Sequence, residues 1–227
     1  MMSLIHLDAK LCDIAVSDPS IVSVFNRFGI VLGVGDHTIA SICRQLALEP
    51  EFFITILNTY LFPDYFPEKI MSSFKADVII SYLNKTNRYY EHFQLPNVER
   101  HFELLLHKSS TSNSNLQLMM NFFIEVKNEL LNRIDDDRNR WFPEVLAKNN
   151  HVDDACVVSE FDEGNDTIED KIDDLINMFV IHLKGDYDLN LCQAVLTVLF
   201  NLKKDITQNN RIRNRILKPL STALSSQ

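Results

Sequence analysis

Six polar side chains fall on positions that helical spacing turns inward. Along the segment that ends in "NNRIRNRILKP", Val195, Leu199, Leu202, Ile206, Asn209, Arg213, Ile216 and Leu220 recur in steps of four and three, the period of a helix face buried against its neighbours. Asn209 and Arg213 interrupt that stripe one turn apart. The same count upstream gives Leu116, Met119, Phe123, Val126, Leu130, Arg133 and Asp137, again with two polar residues at i and i+4. Two further stripes, Ile80, Leu83, Asn87, Tyr90 and Asn165, Ile168, Ile172, Leu175, Phe179, carry one amide each. Side chains at i and i+4 share a face and can reach one ion, which is how helical bundles assemble di-metal sites from paired and single residues on four helices. Such chemistry wants His, Glu or Asp, and of the six residues only Asp137 is of that kind.

The elements that must position these residues are almost all helical. "DPSIVSVFNRFG" opens with Asp18 as N-cap and Pro19 in the first turn, and stops at Gly29. "TIASICRQLALEPEFFITILNTYL" reads as two more helices broken near Pro50, so residues 1–62 form a small helical N-terminal domain. Pro63 and Pro67 in "FPDYFPEK" mark a stiff connector, 63–75. Residues 76–227 then hold four long apolar-periodic segments, about 76–107, 115–148, 165–184 and 188–221, joined mostly by short loops; an antiparallel four-helix bundle follows. The fold class expected is all-α.

Bulk properties narrow the function. The 227 residues are 46% hydrophobic, which suits one medium domain with a small companion, and the formal net charge of -9 without a Lys/Arg cluster disfavours nucleic acid. No apolar run reaches the length that spans a bilayer, and "MMSLIHLDAKLCDIAV" lacks the layout of a signal peptide, so no membrane association and a cytoplasmic location are expected. Cys12, Cys43, Cys156 and Cys192 are far apart and form no C-x-x-C; they read as free thiols. Nucleophile-elbow, P-loop and H-E-x-x-H patterns are absent. Among the histidines, His92, His101 and His107 fall off the inward stripes, while His182 extends the third stripe several turns from Asn165.

Several stretches are similar to the iron-sulfur cluster repair di-iron proteins, which join a small ScdA-type N-terminal domain to a hemerythrin-like bundle. "DIAVSDPSIVSVFNRFGIVLGVGDHTIASIC" resembles the N-terminal domain, and "YLNKTNRYYEHFQLPNVERH", "FFIEVKNELLNRIDDDRNRWFP" and "DITQNNRIRNRILKP" resemble the metal-bearing helices. The resemblance implies a di-iron centre with four His and two Glu. Carried onto this chain, those ligand positions fall at Asn87, Arg133, Asp137, Asn165, Asn209 and Arg213, where no histidine remains. Gly33 and Val34 stand where the family commonly has a Cys-Cys pair.

Charge argues against a metal there. Arg133 and Arg213 keep their protons at any physiological pH and oppose the one carboxylate of Asp137, so no metal and no cofactor are expected. The expected replacement is a hydrogen-bonded network in which Asp137 pairs with Arg213 or Arg133 while Asn87, Asn165 and Asn209 satisfy the remaining donors. The function expected is that of a non-catalytic, regulatory relative acting through protein contacts, with a partner or metal-bearing paralogue, in a stress-response setting. Two alternatives stand beside it: a di-iron or other metal protein of iron-sulfur repair, and a sensor holding a small anion at Arg133 and Arg213. A homodimer is expected from apolar exposure on the N-terminal domain, including Phe52 and Phe53.

Overall fold

The computed structural model describes residues 4–109, 114–150 and 167–225. These are helical with no β-strand, and none of their helices is long and apolar enough to cross a membrane. Five short helices come first: α1 (Leu11–Ser17), α2 (Val22–Arg27), α3 (Ile39–Leu46), α4 (Pro50–Leu61) and α5 (Glu68–Met71). Local chemistry sets their ends. Asp18 accepts from the Ser20 N–H at 3.0 Å, Pro19 supplies a preset φ, and Gly29 closes the segment at φ 77°. Thr38 caps α3 and Glu49 caps α4, each by accepting an orphan backbone N–H.

The long helices share a feature that periodicity did not announce. Helix α6 (Ala76–Tyr89) runs through a π turn (Tyr90–Gln94) into α7 (Leu95–Lys108), and α8 (Ser114–Asp136) through Asp137–Trp141 into α9 (Phe142–Asn150). Helix α10 (Ile168–Asn177) ends in a π turn (Met178–His182), and α11 (Leu189–Ile212) passes through Arg213–Leu217 into α12 (Lys218–Ser225). In three cases a proline follows at the second residue past the turn: Pro96, Pro143 and Pro219. A proline inside a helix lacks its N–H and its ring collides with the carbonyl four residues back. The wider turn relieves both problems, because the residue before each proline bonds five residues back, Leu95 to Tyr90, Phe142 to Asp137 and Lys218 to Arg213. Buried side chains begin all three turns: Tyr90, Asp137 and Arg213.

Contacts divide the chain into two compact units. The first comprises residues up to Tyr82 with Arg211–Leu220, the second Leu83–Asn210 with the residues from Ser221. The first unit is built on aromatic rings: Phe53 lies 4.7 Å from Phe28, and Tyr82 5.5 Å from Phe28, while Phe52 meets Phe74 edge-on at 5.1 Å. Phe52 and Phe53 are therefore buried, which corrects the expectation that they form an exposed apolar pair. The pair is taken up by the rings around it. In the second unit α7, α8, α10 and α11 contribute to one apolar cluster that includes Phe102, Phe123, Leu130, Leu175 and Leu199.

The inward stripes hold nearly to the residue. Ile80, Leu83, Asn87 and Tyr90 are buried, as are Ile168, Ile172, Leu175, Phe179 and the run from Val195 to Ile216. Three positions differ. Arg133 is half-buried and Ile134 takes the inner place, since an apolar side chain gains more from that site than a guanidinium whose head prefers water. Past the turn at Arg213–Leu217 the buried face slips one residue, so Ser221 is buried and Leu220 only half so. His182 is exposed rather than on the third stripe.

Candidate functional site

The second unit concentrates polar side chains where its helices carry the expected site. Asp137, 0% exposed at the start of its π turn, accepts a hydrogen bond from the Asn87 amide at 3.1 Å, tying α6 to α8. Arg133 lies one turn earlier and donates at 2.9 Å to Asn210 on α11. The Asn210 amide in turn donates to Glu169 on α10 at 3.2 Å, and the Thr207 hydroxyl donates to the other oxygen of that carboxylate. A polar chain thus crosses α8, α11 and α10. Asn209 is 2% exposed, and neither its amide nitrogen nor its amide oxygen has a hydrogen-bond partner.

Salt bridges join neighbouring helix pairs on one side of this layer. Lys127 meets Glu99 at 2.7 Å between α8 and α7, Lys171 meets Glu129 between α10 and α8, and Lys203 meets Asp173 between α11 and α10. A second contact fixes the sense of two of these pairs: Phe102–Phe123 beside Glu99–Lys127, and Glu169–Thr207 beside Asp173–Lys203, each rising along one helix while falling along the other. Partly exposed pairs of this kind add little stability each, but they fix which helix neighbours which.

Arg213 belongs to the first unit, where it is buried in its π turn. Around it the outward face of the same segment clamps the connector: the guanidinium carbons of Arg211 and Arg215 each lie 4.5 Å from the Phe66 ring centroid. Arg211 also donates to the Tyr65 carbonyl at 3.2 Å, and Arg215 pairs with Glu68. Burial, then the nearby charge of Arg215, pulls the Arg211 guanidinium below its ordinary value, against the opposing pull of Asp64.

Of the six expected positions, the structure joins Asn87 and Asp137 directly. Arg133 reaches Asn210 and through it Glu169, two residues the stripe count passed over because they flank it and look solvent-facing in a sequence. Asn209 sits on the inner face without a hydrogen bond, where the expected network would have satisfied it. Asn165 lies outside the described residues, as does Cys156. Cys43 and Cys192 are buried, and desolvation pushes both thiols up, so neither is an activated nucleophile.

The donor set does not fit the di-iron centre that the resemblance implies. Asn87, Arg133, Asp137 and Asn209 offer one carboxylate, neutral amides and a cation, and iron in such a cage needs several imidazole and carboxylate donors. Among the described residues no group of three or more His, Cys, Asp or Glu is arranged to hold a metal ion. What the arrangement can do is join helices by hydrogen bonds between buried and half-buried side chains. No protein-family model matches the chain, and no curated protein matches it in sequence.

Proposed function

We propose that this is a non-catalytic relative of the iron-sulfur cluster repair proteins, with a hemerythrin-like antiparallel four-helix bundle whose metal cage has become a hydrogen-bonded polar layer. It works in the cytoplasm through protein contacts, as a regulator or assembly partner of a metal-bearing paralogue. The observation that carries this reading is the Asn87–Asp137 hydrogen bond, which joins two of the positions where the family's ligands would stand. The opposite running of α7 with α8 and of α10 with α11 supports the antiparallel bundle.

Metal analysis and an optical spectrum of the full chain, produced with added iron, test the reading. The expected result is iron far below stoichiometry and no charge-transfer absorption. Stoichiometric iron with such absorption would overturn it in favour of a working metalloprotein.

A further inference from the structure

The polar layer of the second unit contains a position that the protein alone leaves incomplete. Asn209 is 2% exposed, and both ends of its amide lack a hydrogen-bond partner. Leaving a buried donor and acceptor both unmade costs far more than a typical hydrogen bond contributes, so native interiors satisfy such groups, by ordered water where no protein group reaches them. Steric demand does not explain the residue. An apolar side chain of similar volume would fill an inward site on α11 between Ile206 and Ile212 without that cost.

The surrounding ties fix its level in the unit. Its neighbour Asn210 is held to Arg133 on α8, and one turn beyond Arg133 lies Asp137, bonded to Asn87. Asn209 itself faces inward on α11, between Ile206 and Ile212, both fully buried. A primary amide presents two donors and one acceptor. The complement is a small molecule that both donates and accepts, and in a buried polar layer that molecule is water.

The geometry points to a site for internal water at Asn209, with the amide as its anchor. The bound water completes the amide and links α11 into the polar layer. This inference rests on burial and hydrogen bonding and stands whether or not the family reading holds.

The test uses the full chain and Asn209→Leu. Oxygen-17 magnetic relaxation dispersion counts long-lived internal waters, and the variant should lose part of that signal. An unchanged dispersion would show a dry amide and overturn the site. Should the variant not fold, side-chain amide protons of Asn209 in the wild-type protein decide the matter. Cross-relaxation from them to water of long residence supports the site; its absence rejects it.

Discussion

Asn58 in the first unit and Asn209 in the second are the same residue at the same 2% exposure, and they meet opposite fates. Asn58 holds the backbone of Ile5 with both ends of its amide, accepting from the N–H at 2.8 Å and donating to the carbonyl at 3.1 Å. Asn209 has no hydrogen-bond partner at either end. In the first unit a buried amide is a clasp for an incoming strand of chain, set beside an aromatic core. In the second, polar groups form a layer across the helices in which the Asn209 amide takes no protein partner. Burial of a polar residue is therefore not one kind of signal; its meaning depends on where its hydrogen bonds go.

The contrast can be broken first on its apolar side. Phe53→Ala removes a fully buried ring that packs on Phe25 and Phe28, and should cost about 3–5 kcal/mol, read by chemical denaturation. A loss below about 1 kcal/mol would mean the aromatic cluster is not the core of its unit. Asn58→Leu should follow at about 1–3 kcal/mol, because it strands the N–H and carbonyl of Ile5. Amide exchange at Ile5 should accelerate in parallel. If Asn58→Leu and Asn209→Leu shifted stability equally and left exchange at Ile5 unchanged, the two asparagines would not differ as described. Lys127→Ala, which breaks a partly exposed pair with Glu99, should cost only about 0.2–1 kcal/mol and less in high salt.

Sequence alone carried the helices and most of what they bury, since capping residues and a four-three period act locally. Asp18, Gly29 and Pro50 mark ends that the structure shares, and the stripe from Val195 to Ile216 is buried throughout. Arg133 escaped this logic because steps of four-three and three-four both fit Leu130 to Asp137, and only packing chooses Ile134 over its neighbour. Asn210, Glu169 and Thr207 were hidden for a different reason. A polar residue beside a stripe has the same signature whether it meets water or a neighbouring helix. The wide turns did leave a trace, in that each proline stands six residues after a buried side chain, Tyr90, Asp137 or Arg213.

Those turns have a consequence for how the chain tolerates insertions and deletions. A regular helix advances about 100° per residue, so a turn that holds one residue extra leaves everything beyond it rotated against everything before. Ser221 occupying the place due to Leu220 is that rotation made visible. Removing one residue between Arg213 and Leu217 would swing the downstream face back, exchanging which side chains meet solvent while leaving their identities untouched.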